Sequence, residues 1–167
     1  MKKYFFKDND ITTGAAVAVA VLALLMRLAL SYTQFATIYP NLAPIDDHFM
    51  FTAAQNIVAG NWLGEYTYLA ISKHAFFAVW LAFLHTVRIP YLVGNMLLWA
   101  AACLAMAMAL KPVFRKNWHI LFTFLGLLYN PAASAQYATR IYRDAIFPAL
   151  CLMFIAGITA VGLRYKE

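Results

Sequence analysis

The alternation of long apolar segments with shorter polar segments predicts a chain that crosses a membrane several times. An α-helix needs about 20 apolar residues to span about 30 Å of hydrocarbon. Four segments approach this length: residues 13–32, 91–110, 118–138 and 145–163. A fifth apolar segment, 75–87, would extend only about 20 Å as a helix, which is too short to span an undistorted bilayer.

A different helical pattern occupies part of the polar stretch between the first two crossings. Phe49, Ala53 and Ile57 recur at every fourth position, which is the apolar stripe of an amphipathic helix over residues 46–59. Gly60 follows as a typical helix terminator. Such a helix is expected to lie along the membrane surface, with its apolar face toward the lipid.

The positions of Lys and Arg decide whether segment 75–87 crosses, because cytoplasmic loops carry an excess of these residues. Five crossings would divide the cations outside the spans evenly between the two sides. Four crossings put eight on the side of the termini (Lys2, Lys3, Lys7, Lys111, Arg115, Lys116, Arg164 and Lys166) and four on the other (Lys73, Arg88, Arg140 and Arg143). We therefore expect four crossings, both termini cytoplasmic, and a first outer loop at residues 33–90.

Composition excludes a soluble domain. Of the 167 residues, 64% are hydrophobic and 12% are charged, whereas soluble domains average about 45–50% apolar and about 25% charged residues. A soluble fold of this size cannot bury so much apolar surface. The sequence predicts an all-α integral membrane protein, with residues 1–167 as a single membrane domain. It has four transmembrane helices, and its first outer loop contains two interfacial helices, about 46–59 and 75–87. Membrane lipid is an expected partner, and nucleic acid is not.

The adjacent carboxylates Asp46 and Asp47 are the first candidates for chemistry. The chain has only seven acidic residues. Two of them beside a surface helix can serve as a general base or as ligands for a divalent cation. The alternative is structural, with Asp46 capping the helix and Asp47 interacting with its dipole. The sequence leaves both interpretations open.

Arg140, Arg143 and Asp144 form the second candidate site. Their spacing of i, i+3 and i+4 would place them on one face of a helix, where two guanidinium groups can bind a phosphate. Positive charge on an outer loop runs against the usual distribution and favours a function. The alternative is an Asp144 helix cap, with both arginines extended to the headgroups. Lys73 and His74 supply a further cation before segment 75–87, where a simple membrane anchor is the alternative.

In combination, these features resemble the start of the GT-C membrane glycosyltransferases, among them protein mannosyltransferases and lipid A aminoarabinose transferases. The residues that carry the resemblance are Asp46 and Asp47, Gly60 and Trp62 at the end of the interfacial helix, Lys73 and His74, and the segment Arg140–Asp144. The two prolines that the family has beside its basic residue are absent from this chain.

The resemblance implies transfer of a sugar, with inversion, from a polyprenyl-phosphate donor at the outer face of the membrane. Asp46 would accept the proton of the attacking hydroxyl, and Asp47 would support it or bind a divalent cation, which only some relatives require. The implied substrate-binding residues are Lys73, His74, Arg140, Arg143 and Asp144, of which the cations would stabilise the departing lipid phosphate.

Members of this family are much longer, so the resemblance implies the N-terminal portion of such an enzyme, or a short relative, in a bacterial inner membrane. The alternative function is a non-catalytic membrane subunit that binds a lipid phosphate or a partner protein. In both cases a membrane protein partner that supplies further helices is expected. A transporter fits less well, because nearly all charges lie outside the apolar spans.

Overall fold

The computed structural model describes residues 10–37, 47–62, 64–65, 75–114, 116–131 and 139–165, and the side chains from residue 13 onward within these ranges. The described part of the chain is helical, with no strand beyond a single isolated bridge. Its α-helices are α1 (Asp10–Thr33), α2 (Phe49–Val58), α3 (Phe76–Thr86), α4 (Tyr91–Ala109), α5 (Asn117–Leu128) and α6 (Phe147–Arg164).

Three of these helices, α1, α4 and α6, are long and apolar enough to cross a membrane. They agree in position with three of the four predicted crossings. Only 6% of the best apolar window of α1 and 11% of that of α6 are buried within the protein, against 44% for α4. The helix α4 is therefore the centre of the bundle, where it packs against α6, α5, α1 and α3. The outer faces of α1 and α6 remain apolar and exposed, as expected for helices solvated by lipid.

The helix α5 is shorter than the sequence suggested. Its 12 residues extend about 18 Å, and it ends at Leu128 rather than continuing through residue 138. Asn130 and Pro131 follow directly, and a proline disfavours helical geometry at the residue before it. Residues 132–138 lie outside the described ranges, and a fourth transmembrane helix is not confirmed.

The helices α2 and α3, which the sequence predicted to be interfacial, pack against each other, and small residues allow the close approach. Ala53 and Ala54 of α2 are buried with Ala78 of α3. The predicted stop at Gly60 is confirmed: Gly60 has a φ of 86°, and its N–H donates to the carbonyl of Ile57. These contacts are those of a Schellman cap, in which glycine takes the left-handed position.

The end of α3 has the same cap without a glycine. Arg88 takes the left-handed position with a φ of 57°, and its N–H donates to the carbonyl of His85 at 3.1 Å. The N–H of Ile89 donates to the carbonyl of Leu84 at 3.0 Å. Pro90 then prevents further helix and leads into α4. The chain thus turns sharply between α3 and α4, although a side chain disfavours this backbone geometry.

The contact between α1 and α5 buries an arginine. Nδ2 of Asn117 donates to Oγ1 of Thr13 at 3.2 Å, and further along both helices the hydroxyl of Tyr129 donates to the carbonyl of Ala23 at 2.9 Å. Arg27 is only 7% exposed, and its Cζ lies 5.6 Å from the centre of the Tyr129 ring. The ring supplies a cation–π contact within the protein.

The two ends of the bundle differ in their charged groups. At one end, Nη2 of Arg164 donates to the carbonyl of Met108, which joins the ends of α6 and α4. We call this end, which also carries Lys111 and Lys116, the basic end. At the other end, α2 and α3 lie beside the start of α4, and an ion pair joins Asp47 to Arg140. We call it the ion-pair end.

Candidate functional site

The ion pair between Asp47 and Arg140 joins two segments that are 93 residues apart in the chain. Nε of Arg140 donates to Oδ2 of Asp47 at 2.8 Å, and Nη2 donates to Oδ1 at 2.6 Å. Asp47 is fully buried, whereas 22% of the Arg140 side chain is exposed. The planar guanidinium matches the carboxylate in this two-pronged geometry. A fully buried carboxylate requires such a partner, because transferring an ion from water to the protein interior costs roughly several kcal/mol.

Backbone contacts hold Arg140 in position. The N–H of Thr37, just after α1, donates to the carbonyl of Thr139, and the N–H of Ile141 donates to the carbonyl of Thr37, both at 2.9 Å. The hydroxyl of Tyr91, the first residue of α4, donates to the carbonyl of Arg140 at 2.9 Å. Two distant segments of the chain therefore fix the backbone around this arginine.

The neighbouring Arg143 and Asp144 are not bound in the same way. The expectation that they share a helical face with Arg140 is wrong. Arg140 lies in the isolated bridge, Tyr142 is extended, and only Arg143–Ala145 form a short 3-10 turn. The Arg143 side chain is 45% exposed, and its Nε lies 3.9 Å from the carboxylate of Asp144. The Tyr142 ring lies between the two arginines, 4.8 Å from Cζ of Arg140 and 5.5 Å from Cζ of Arg143.

The remaining predicted site residues, Asp46, Lys73 and His74, lie outside the described residues. Within the described part of the chain, no three His, Cys, Asp or Glu side chains are grouped as ligands for a metal. Both oxygens of Asp47 accept hydrogen bonds from Arg140. The Asp47 side chain is also fully buried, and no described carboxylate joins it in such a group to share a cation.

An apolar groove of about 460 Å³ lies beside the ion pair, between α2 and α3. Its walls are mostly alkyl and aromatic side chains, with two polar residues, Gln55 and His85, among them. Tyr91 and Ile141 line its end and connect it to the pair: the Tyr91 hydroxyl binds the carbonyl of Arg140, and Ile141 follows Arg140 in sequence. An extended hydrocarbon chain fits such a groove in size and polarity.

Sequence reasoning missed several of these contributors. Thr37 acts through two backbone hydrogen bonds and Tyr91 through its hydroxyl, and neither stands in a motif that indicates this. Asn95 carried a usable signal, since it is a polar residue inside a predicted crossing. It is buried, and its Oδ1 accepts a hydrogen bond from Nε1 of Trp80 at 2.9 Å, which ties α3 to α4. Tyr142 between two arginines was also visible in the sequence.

Comparisons of this chain with models of known protein families, with curated proteins and with solved structures found no match.

Proposed function

We propose that this chain acts in the transfer of a sugar from a polyprenyl-phosphate donor at the outer face of a membrane. The carrying observation is the Asp47–Arg140 pair, which brings the two predicted outer constellations to one end of the bundle. The sequence resemblance described above gives these constellations the roles of base and phosphate-binding site. If Asp47 and Arg140 lay far apart, the two groups could not form one site and this interpretation would fail.

The ion pair gives the two adjacent carboxylates different roles. Asp47 is buried and bound by Arg140, so it serves as a positioning residue. Asp46 is then the proposed general base: it takes the proton from the acceptor hydroxyl, whose oxygen attacks the anomeric carbon from the face opposite the phosphate. The bond from the anomeric carbon to the phosphate oxygen breaks, and the polyprenyl phosphate leaves.

The leaving group needs a cation and an apolar channel. Arg143 is the available guanidinium, because its side chain is nearly half exposed whereas Arg140 is committed to Asp47. Cations held near a departing phosphate stabilise the charge that develops on it. The groove beside Tyr91 and Ile141 is the proposed site for the polyprenyl hydrocarbon. Lys73 and His74 remain further candidates for the donor phosphate.

A four-crossing topology with both termini cytoplasmic belongs to this proposal. The start of α5 lies near the first turn of α1, since Asn117 binds Thr13. Thr139, by contrast, is paired with Thr37 beyond the other end of α1. The chain between Asn117 and Thr139 therefore connects opposite ends of the bundle. In this proposal the connection is a fourth passage through the membrane, and the candidate site lies on the outer side.

The test uses the full chain in lipid nanodiscs with polyprenyl-phosphate mannose and polyprenyl-phosphate aminoarabinose as donors. We expect release of polyprenyl phosphate in the presence of an acceptor. Asp46→Asn should abolish the release while donor binding is largely retained, because only the proton-accepting role is lost. Glu65→Gln, a change at an exposed carboxylate, is the matched control. Activity in Asp46→Asn together with inactivity in a folded Asp47→Asn variant would show that Asp47 is the base.

The second candidate function is a non-catalytic subunit that binds a lipid phosphate. The ion pair favours it. Asp47 is buried with both oxygens bound by Arg140, so it cannot act as a base in this arrangement. Both functions predict that the parent chain binds the lipid-phosphate donor and that Arg143→Gln weakens this binding. Only the enzyme releases polyprenyl phosphate. Donor binding without release, in the parent chain and with either sugar, would support the subunit.

A further inference from the structure

Three exposed cations lie at the basic end, although they come from different parts of the chain. Arg164 ends α6, and its Nη2 donates to the carbonyl of Met108 at 3.3 Å. Lys111 follows Met108 by three residues, in the 3-10 turn Lys111–Val113. Lys116 precedes α5, and its carbonyl accepts a hydrogen bond from the N–H of His119. The fold therefore gathers positive charge where α4 and α6 end and α5 begins.

These cations are not neutralised by the described part of the protein. None of Lys111, Lys116 and Arg164 forms an ion pair with a described carboxylate. Asp47 and Asp144 lie at the opposite end of the bundle. Asp10 starts α1 at the basic end, but its side chain is not described. Among the described side chains at this end, the three cations therefore have no carboxylate to balance them.

Aromatic rings stand beside the cations. The Trp118 ring stacks on His119 at 4.2 Å and meets the edge of Phe122 at 5.1 Å, and Phe114 lies 5.8 Å from His119. Trp118 and Phe122 are both exposed. Exposed Trp at the end of a membrane helix is typical of the headgroup region, where an apolar ring and its polar N–H are both satisfied.

We propose that the basic end binds the headgroup phosphate of an anionic phospholipid, with Lys111, Lys116 and Arg164 as its ligands and Trp118 at its apolar edge. The guanidinium of Arg164 uses one nitrogen on Met108 and retains donors for a phosphate oxygen. The lysines contribute point charges that attract an anionic surface. The exposed rings favour a lipid over a soluble phosphate, because they require hydrocarbon next to the anion. This site is independent of the proposed glycosyl transfer.

Fluorescence quenching tests the proposal on the full chain in nanodiscs. Brominated phosphatidylglycerol and brominated phosphatidylcholine are compared at equal mole fractions in the nanodisc. The difference in fluorescence between the parent chain and Trp118→Phe gives the contribution of Trp118. We expect phosphatidylglycerol to quench Trp118 at a several-fold lower mole fraction, since each Lys or Arg at a membrane surface contributes about fivefold in affinity for anionic lipid. In the triple variant Lys111→Gln/Lys116→Gln/Arg164→Gln, both lipids should quench Trp118 fluorescence equally.

Two further variants keep the result interpretable. Arg88→Gln removes an exposed cation at the other end of α4 and should leave the preference unchanged. Lys111→Arg/Lys116→Arg/Arg164→Lys conserves the charge and should retain the preference, even if the Gln variant fails to fold. Equal quenching of the parent chain by both lipids would overturn the proposal, as would a preference that survives in the folded triple Gln variant. Loss of the preference on adding inorganic phosphate at constant ionic strength would show a soluble-anion site and would also overturn it.

Discussion

The ion-pair end and the basic end treat charge in opposite ways. At the ion-pair end, Asp47 is fully buried and both of its oxygens are bound by Arg140. At the basic end, Lys111, Lys116 and Arg164 are exposed and form no ion pair with the described carboxylates. A buried charge needs a partner inside the protein, because its hydration has been lost. An exposed charge keeps its water or takes a headgroup phosphate.

This difference distinguishes a charged contact that stabilises the fold, at the ion-pair end, from exposed charges that are available to other molecules, at the basic end. Removal of one partner of a buried pair leaves the other charged, dehydrated and unpaired, which is costly. Removal of an exposed cation changes little within the protein. The ion-pair end should therefore be sensitive to single substitutions that leave the basic end intact. The following predictions test the contrast, beginning with the largest effect.

The two ends should be labelled from opposite sides of the membrane. Val87→Cys and Lys111→Cys introduce exposed thiols just before and just after α4, in a chain whose Cys103 and Cys151 are replaced by Ala. In cells, a membrane-impermeant maleimide should label Val87→Cys directly and Lys111→Cys only after permeabilisation. Labelling of both thiols under the same condition would show that α4 does not separate the two compartments.

Asp47→Ala should lower the free energy of unfolding by about 3 kcal/mol, because Arg140 then loses its counter-charge in a partly buried position. Arg140→Ala should have a similar effect, since it leaves Asp47 buried and unpaired. The double variant should cost clearly less than the sum of the two. Denaturation in mixed detergent micelles measures these values, with Glu65→Gln as the control. Additive single effects would show that the pair is not energetically coupled.

Arg88→Gly should raise the free energy of unfolding by about 1 kcal/mol, because glycine takes a left-handed backbone without the steric cost that a side chain imposes. Gly60→Ala, at the same position of the cap that ends α2, should lower it by about 1 kcal/mol for the same reason. These opposite signs follow from the φ values of 57° and 86°. The same denaturation assay measures both variants. Destabilisation by Arg88→Gly would show that the arginine side chain makes a contact that outweighs its strain.

Lys111→Gln and Lys116→Gln should change the free energy of unfolding in neutral micelles by less than about 0.5 kcal/mol each, as is usual for exposed substitutions. Neither lysine has an ion pair with a described carboxylate to lose. A marked destabilisation by either change would mean that the basic end contributes to folding and would weaken the contrast between the ends.

Much of the fold follows from the sequence because lipid imposes simple local rules. The three helices of membrane-spanning length, α1, α4 and α6, could be predicted from apolar length alone, since a span needs enough apolar residues in one run. The stop at Gly60 could be predicted because glycine accepts the left-handed backbone that a cap requires. Apolar length misled at α5, where the helix ends at Leu128 shortly before Pro131. A local backbone constraint outweighed hydrophobicity there.

The candidate site depended on tertiary structure. The sequence identified Asp47 and Arg140 as separate candidates, but no local rule pairs two residues 93 positions apart. Their contact follows from the packing of α2 on α3 and of α3 on α4, and from the pairing of Thr37 with the segment before α6. The contact between α1 and α5 buries Arg27 against Tyr129, whereas Arg143 remains exposed. The sequence thus determined which segments are apolar enough to enter lipid, because that depends on the composition of each segment alone. Only the tertiary structure decided which charges lose water, because that depends on neighbours supplied by distant parts of the chain.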